Sequence, residues 1–268
     1  MQLAIFAGIL ACICYGSAAF LLVRSLKTNT PVSRPLLLGT ALLGLVMHAI
    51  TLHHSLFGKH GVELGFVNEL SLFGFVLAAC GTLLAPFRNN QALLAPTYPV
   101  AALGTLADLL LHDQVTPHIV LTGTMVTHIL LSIIAYSVIA LALSQALLIA
   151  IQNYQLKHRH IHDILHMLPP LQTMEDILFD FIKIGLVLLT LAISTGFLFV
   201  QDMLAQHLVH KIVFAIASWG VLALMLIGRK QWGWRGMVAV KWTLVSFVLL
   251  SLAYFGSKFV LEVLLQKV

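Results

Sequence analysis

The sequence has little charge. Of its 268 residues only 9% are Asp, Glu, Lys or Arg, whereas 60% are hydrophobic and the mean hydropathy is +0.98. A soluble domain carries about a quarter charged residues, so this composition excludes a soluble globular protein and indicates an integral membrane protein. At about 20 residues for each crossing of the bilayer, the chain has room for eight spans with short loops, and hence for a single transmembrane domain over residues 1–268.

Cysteine is also scarce, and several catalytic patterns are missing. Cys12 and Cys14 are two residues apart on one predicted helix, and Cys80 lies in another apolar run, which excludes a disulfide framework. There is no CxxCH haem-attachment motif, so the chain is not itself a c-type cytochrome. No glycine-rich phosphate loop, catalytic triad or pair of carboxylates is present. The first apolar run lacks a basic leader and a cleavage site, and we expect it to remain as a membrane span.

Eight apolar runs of helical length are present instead, separated by short polar or proline-containing segments. They predict an all-α polytopic membrane protein with no internal repeat. The predicted spans are Leu3–Val23, Leu36–Phe57, Leu70–Phe87, Ala92–Leu111, Ile119–Ile151, Ile177–Val200, Ile212–Ile227 and Met237–Leu265.

The basic residues are distributed unequally between the two sides of these spans. Eleven lie on one side and four on the other. The first set is Arg24, Lys27, Arg34, Arg88, Lys157, Arg159, Lys183, Arg229, Lys230, Arg235 and Lys241, and the second is Lys59, Lys211, Lys258 and Lys267. The positive-inside rule makes the first side cytoplasmic and places both termini outside. The net charge of +5 is therefore a topology signal, and we expect no nucleic-acid partner.

One titratable side chain lies deep in the fifth span. Placing the imidazole of His128 in hydrocarbon is energetically unfavourable unless it faces a cavity, a partner or a metal. Ser132 and Tyr136 follow at four-residue intervals, so a polar stripe runs along this helix. Thr124, one turn before His128, is a candidate to orient the second ring nitrogen, as is a backbone carbonyl.

A second histidine, His48, lies at a matching depth in the second span. Each is about nine residues from the predicted outer end of its helix, or roughly 13 Å into the membrane. Two antiparallel helices would then offer two imidazoles as axial ligands to one haem b iron. Gly44, one turn before His48, leaves room for a flat macrocycle. The same histidines also fit a simpler role as neutral hydrogen-bonding groups between helices.

The remaining polar residues are weaker candidates. The outer histidines form either a second exposed ligand set or a solvated interface, and Asp108 is interpreted as interfacial. The outer histidines are His53, His54, His112, His118, His207 and His210; a cytoplasmic group of His158, His160, His162 and His166 is interpreted as a polar loop.

Several segments in order resemble the cytochrome c assembly membrane proteins, the CcsA/CcmC-type haem-handling family. Over residues of about 120–265 these segments are THILLSIIAY (Thr127–Tyr136), the double-proline stretch and following span (Met167–Gly196), GWRG (Gly233–Gly236) and AYFGSKFVL (Ala253–Leu261). The resemblance implies that His128 corresponds to an external-side haem ligand. VMHAI around His48 resembles the eight-span YpjD/HemX-like branch.

Two family features are missing, and both bear on activity. The tryptophan-rich WWD segment of the synthases is replaced by QDMLAQHLVHK (Gln201–Lys211), and the second external histidine is absent after AYFGSKFVL. We therefore expect an accessory protein of the bacterial inner membrane without synthase activity, which binds haem or regulates its handling in cytochrome c assembly or haem metabolism. Other membrane proteins of cytochrome maturation are the expected partners. The alternatives are a cofactor-free scaffold subunit and, with less support, a small-molecule transporter.

Overall fold

The structure is a computed structural model that describes residues 2–28, 30, 32–58, 61–62, 65–88, 91–111, 123–158, 168–199 and 209–256. Within these residues, eight helices are long and apolar enough to cross a membrane, which confirms the predicted all-α polytopic fold. The helices are α1 (Gln2–Thr28), α2 (Arg34–Leu56), α3 (Phe66–Arg88), α4 (Leu94–Leu111, after a 3-10 turn at Gln91–Leu93), α5 (Gly123–Lys157), α6 (Leu171–Phe199), α7 (Val209–Trp232) and α8 (Met237–Ser251, continued by a π-helical turn at Leu252–Gly256). Two short antiparallel strands, β1 (Phe57–Gly58) and β2 (Gly61–Val62), follow α2.

Helix bounds differ from the predicted spans mainly where a helix continues beyond its apolar segment. α6 begins at Leu171, directly after a double proline, six residues before the predicted Ile177. α5 continues to Lys157 instead of ending at Ile151. Hydropathy locates the hydrocarbon-crossing part of a helix, whereas hydrogen bonding continues through polar turns at its ends. The predicted start at Ile119 and end at Leu265 lie outside the described residues.

The chain divides into two compact units. The first unit comprises Met1–Val120 and Ile151–Leu171, and the second comprises Leu121–Ala150 and Gln172–Val268. The single transmembrane domain and the assembly-like core at about 120–265 stay predictions. His48 belongs to the first unit and His128 to the second.

In the first unit, α1 to α4 form a closed ring of neighbours. α1 packs against α2 and α4, and α3 packs against the same two helices. Small residues line the contacts: a Cβ on Gly104 would lie 2.8 Å from the Leu70 backbone oxygen, so α3 and α4 approach closely there. Such small-residue contacts are the usual means of packing helices in lipid, where hydrophobic burial gives no net drive to associate.

In the second unit, polar side chains link α5 to α8. Gln145 Nε2 donates to the Met174 carbonyl at 3.0 Å, which joins α5 to α6. Trp219 Nε1 on α7 donates to Thr190 Oγ1 on α6 at 2.8 Å. The hydroxyls of Ser218 on α7 and Ser246 on α8 are 2.8 Å apart. Because water does not compete in hydrocarbon, each buried polar group needs such a partner within the bundle.

Candidate functional site

His48 lies at the centre of the first unit and is fully buried. Its Nδ1 is 3.3 Å from the Tyr15 hydroxyl, and its Nε2 is 3.1 Å from both the Ser71 and the Thr105 hydroxyls. The three hydroxyls come from α1, α3 and α4, so the imidazole on α2 contacts one hydroxyl from each of the other helices. This arrangement makes His48 the hydrogen-bonding hub of the four-helix ring.

Hydroxyl groups lie at both ring nitrogens of His48. Thr105 Oγ1 donates its proton to the Ala101 carbonyl at 2.9 Å, so its oxygen can accept from the ring, and it lies 3.1 Å from Nε2 and 3.3 Å from Nδ1. A neutral His48 therefore has a hydroxyl partner at each nitrogen in either tautomer. Both ring nitrogens are engaged.

Two aromatic rings pack against His48, and a glycine on the same helix allows α1 to approach closely. Phe75 meets the imidazole edge to face, with centroids 5.5 Å apart, and Tyr15 does so at 5.8 Å. A Cβ on Gly44 would lie 3.1 Å from Cys14 Cβ and 3.2 Å from Tyr15 Cε1. The space next to Gly44 is thus filled by α1, and the glycine permits the close approach that brings the Tyr15 hydroxyl to His48.

A second polar group lies along the same helices and was missed by the sequence reasoning. Asp108 on α4 is only 1% exposed, and its Oδ2 accepts a hydrogen bond from Ser55 Oγ at 2.8 Å. Asn68 Nδ2 donates to the Ser55 carbonyl at 3.1 Å. The interpretation of Asp108 as an interfacial residue concerns its depth and stays a prediction; the structure adds that its side chain is buried in the bundle and bonded to α2.

His128 in the second unit is partly buried and has a different set of partners. Its Nδ1 is 3.1 Å from Thr195 Oγ1 on α6, and the backbone of Ala192 is a further hydrogen-bonding neighbour of the ring. A Cβ on Gly196 would lie 3.0 Å from His128 Cε1, so the ring packs directly over the backbone of α6. Gly196 therefore allows the imidazole to reach Thr195.

At His128 the hydroxyl partner lies at one ring nitrogen and indicates the tautomer. Thr195 Oγ1 donates to the Ala192 carbonyl at 2.9 Å, so its oxygen accepts from His128 Nδ1–H. The lone pair of the neutral ring is then on Nε2, to which no other described side chain is hydrogen-bonded. A histidine that ligates a metal is typically held in this way, with one nitrogen donating to an orienting partner and the other directed to the metal.

The other residues of the predicted stripe have separate partners. Ser132 Oγ donates to the His128 backbone carbonyl at 2.8 Å, and the Tyr136 hydroxyl is 2.7 Å from Ser251 Oγ. Thr124 is exposed on α5, while the hydroxyl at Nδ1 comes from Thr195. Ser132 and Tyr136 thus share a helix with His128 without contacting its imidazole nitrogens.

Tyr136 is part of an aromatic cluster between α5 and the end of α8. Its ring stacks on Phe247 and Tyr254, with centroids 5.2 and 5.8 Å apart, and meets Phe255 edge to face at 5.4 Å. Two of these rings belong to the π-helical turn at Leu252–Gly256. The cluster gives the second unit an apolar wall, eight residues further along α5 than His128.

The two histidines differ in how well they fit an axial ligand. At His128 the imidazole is oriented at Nδ1 and presents a lone pair on Nε2, which fits iron ligation. At His48 the residue type fits, but ligation through Nε2 replaces the Ser71 and Thr105 contacts. His48 and His128 as ligands to one shared haem, with Gly44, Thr124, Ser132 and Tyr136 around it, stay a prediction.

The remaining histidines that the structure describes lie on exposed helix ends. His53 and His54 have ring centroids 5.8 Å apart near the end of α2, and His158 Nδ1 is 2.9 Å from the Tyr154 carbonyl. Within the described ranges, no group of three or more His, Cys, Asp or Glu side chains is arranged to hold a metal ion. Seven histidines lie outside those ranges: His60, His112, His118, His160, His162, His166 and His207.

Comparison with known families agrees with the resemblance of the motifs. The sequence profile of the cytochrome c assembly protein family matches residues 36–265, from the first turn of α2 to beyond α8. The chain belongs to this family. The matched range contains His48, His128 and the orienting Thr195, and membership places the chain in a membrane role in cytochrome c biogenesis.

Individual relatives support the same placement. Inner membrane protein YpjD of Escherichia coli strain K12 is 30% identical over 259 residues, which is 96% of this chain and 98% of that protein; the O157:H7 protein gives the same figures. An uncharacterized 28.8 kDa protein of Azospirillum brasilense is 29% identical over 140 residues, or 52% of each chain. No solved structure matches. The predicted location, a multi-pass protein of the bacterial inner membrane, is confirmed; the outward orientation of both termini stays a prediction.

Proposed function

We propose that this protein binds haem b in the inner membrane and has an accessory role, in haem handling or its regulation, in cytochrome c assembly or haem metabolism. The observation that carries the proposal is the state of His128. Thr195 holds its Nδ1–H, and its Nε2 lone pair has no side-chain partner among the described residues. In a chain of this family, such an oriented imidazole in a membrane span is a candidate haem ligand.

His48 is the second candidate ligand in this proposal. It is a neutral imidazole donor in a membrane span, as the axial position of a b-type haem requires. If His48 ligated iron through Nε2, its hydrogen bonds to Ser71 and Thr105 would be lost. Ligation by Nε2 of His128 would break no side-chain hydrogen bond among the described residues.

The residues of the chain would perform distinct tasks toward the cofactor. When bound, haem supplies an iron whose potential is set by its axial ligands and their hydrogen bonds. Thr195 keeps His128 in the Nδ1–H tautomer, and the aromatic cluster around Tyr136 excludes water from the interior of the second unit. The accessory role follows from the missing WWD segment of the synthases, which Gln201–Lys211 replaces. Haem, other membrane proteins of cytochrome maturation and membrane lipid are the proposed partners.

The test is the absorption spectrum of the full-length protein purified in detergent and titrated with haem. We expect a saturable Soret band and a pyridine haemochrome spectrum typical of haem b. His48→Ala and His128→Ala should each shift or abolish the band, whereas the exposed histidines His53→Ala and His210→Ala should leave it unchanged. A band indifferent to both His48→Ala and His128→Ala rejects the ligand assignment.

A second candidate function is a cofactor-free membrane scaffold, and the environment of His48 favours it. A buried imidazole with a hydroxyl at each nitrogen from three neighbouring helices is suited to fixing a helix bundle without any ligand. On this account the purified protein shows no saturable Soret band, and His48→Ala affects only stability. The haem titration thus separates the two candidates.

A further inference from the structure

The four residues that join α7 and α8 are confined to the membrane surface. α7 and α8 contain the candidate spans His210–Trp232 and Met237–Gly256, and the GWRG loop (Gly233–Gly236) connects them. So short a link between two membrane-crossing helices cannot extend away from the bilayer, because both helix ends lie at the boundary of the hydrocarbon. The side chains of this loop therefore lie at the depth of the lipid headgroups.

The backbone of the GWRG loop is fixed by contacts within the second unit. Trp234 N–H donates to the Gly228 carbonyl at 3.2 Å, and Gly236 N–H donates to Glu175 Oε1 at 2.8 Å. Gly233 and Gly236 have φ values of 66° and 59°, in the region that favours glycine. The loop is thus held at both ends, on α7 and on α6.

Three tryptophans surround this loop. The Trp234 ring is stacked on Trp242, with centroids 6.0 Å apart and an interplanar angle of 2°, and the Trp232 and Trp234 centroids are 5.6 Å apart. Tryptophan is enriched at headgroup depth, where its ring is partly apolar and its N–H is polar. With Trp234 packed on the helices, the next side chain, Arg235, is exposed.

Three cations at this surface have no acidic partner among the described residues. They are Lys230 at the end of α7, Arg235 in the loop and Lys241 in the first turns of α8, and all three are exposed. The neighbouring acids are already engaged: Asp176 is 2.6 Å from Arg229, and Glu175 accepts from Gly236.

We propose that Lys230, Arg235 and Lys241, with the tryptophans around the GWRG loop, bind the headgroup of an anionic phospholipid. The charge of the surface is complementary to a phosphate-bearing headgroup, and its depth is that of the lipid phosphates. An anionic lipid gains close to fivefold in affinity for each nearby Lys or Arg, because each contributes about 1 kcal/mol. A zwitterionic lipid offers no net charge to these three cations.

The experiment measures the thermal midpoint of the full-length protein in neutral detergent as lipid is added. The probes are phosphatidylglycerol, phosphatidylcholine, inorganic phosphate and polyglutamate. For the wild type, phosphatidylglycerol should raise the midpoint saturably, and the other three probes should not. The triple variant K230Q/R235Q/K241Q should need at least tenfold more phosphatidylglycerol for the same shift.

Two further variants keep the outcome interpretable. R24Q/K27Q/K157Q removes the same charge from exposed helix ends of the first unit and should respond to phosphatidylglycerol like the wild type. K230R/R235K/K241R keeps the charge and should keep the response. The proposal is overturned if the K230Q/R235Q/K241Q protein retains the wild-type response, or if the R24Q/K27Q/K157Q control loses it equally. It is also overturned if inorganic phosphate reproduces the shift, which indicates a small-anion site, or if polyglutamate does, which indicates an acidic protein partner.

Discussion

The two membrane histidines of this chain differ in how many hydroxyl groups surround the imidazole. In the first unit, His48 has the Tyr15 hydroxyl at Nδ1 and the Ser71 and Thr105 hydroxyls at Nε2. In the second unit, His128 donates from Nδ1 to Thr195 and keeps its Nε2 lone pair. A histidine in lipid can therefore serve as a structural hub or as an oriented ligand, and the neighbouring hydroxyls distinguish the two.

The largest difference between the two histidines should be in stability. His48→Ala leaves the hydroxyls of three helices without their common partner, and should lower the free energy of unfolding by about 2–3 kcal/mol. His128→Ala removes one such contact in a partly buried place and should cost about 1 kcal/mol or less. The thermal midpoint of the helical circular dichroism signal measures both. Equal losses, or a loss as large in the exposed His53→Ala control on the same helix, would refute the hub at His48.

The second prediction concerns the hydroxyl that orients His128. Thr195→Val keeps the shape of the side chain and removes the acceptor of Nδ1–H, so the ring is free to adopt the other tautomer. Loss of such an orienting partner typically weakens metal binding 10–100-fold, and we expect at least a tenfold rise in the haem dissociation constant, measured by Soret titration. Thr190→Val on the same helix is the matched control. An unchanged constant in Thr195→Val would mean that Thr195 does not orient the ligand.

A smaller effect is expected from one partner of His48. Tyr15→Phe keeps the ring that packs on Tyr98 and removes only the hydroxyl at Nδ1. Interhelical hydrogen bonds in membrane proteins contribute about 0.6 kcal/mol on average, so we expect a loss of this order in the free energy of unfolding. A double-mutant cycle with His48→Ala checks it: the Tyr15→Phe loss should vanish in the His48→Ala background. An additive result would show that the two side chains do not interact.

The smallest effect should come from the polar stripe that the sequence made prominent. Ser132 donates to the backbone of its own helix, so Ser132→Ala should leave the haem dissociation constant unchanged. It should change the free energy of unfolding by no more than about 0.5 kcal/mol. Soret titration and thermal unfolding of the same preparation measure both quantities. A loss of haem binding comparable to that of Thr195→Val would restore Ser132 to the site.

The number and positions of the helices could be predicted from the sequence because the hydrocarbon of the membrane restricts which segments can cross it. Each span needs about 20 apolar residues, and this pattern located all eight helices. At the majority of the helix ends that the structure describes, the predicted boundary lies within a few residues of the observed one. The errors lie at polar ends such as the start of α6 at Leu171, where the helix continues outside the apolar segment.

The partners of the site residues could not be predicted in the same way. His48 and His128 were visible as rare titratable groups in apolar runs, but Tyr15, Ser71, Thr105 and Thr195 are ordinary hydroxyl residues in a chain that has many. Their importance comes from which helices are neighbours. Within each unit, the neighbours of a helix are set by packing between segments that are far apart in sequence. The burial of Asp108 could not be predicted for the same reason: its distance from the helix end says nothing about the Ser55 hydroxyl of α2 that it accepts from.

The most direct test of the account is a comparison of haem titrations of His128→Ala and His53→Ala, with the wild type measured alongside. Because His128 presents an oriented Nε2 lone pair and His53 is exposed at a helix end, we predict a saturable Soret band for the wild type and for His53→Ala, and a band shifted or lost in His128→Ala. A band that is identical in position and affinity for all three proteins would contradict the assignment of His128 as a haem ligand.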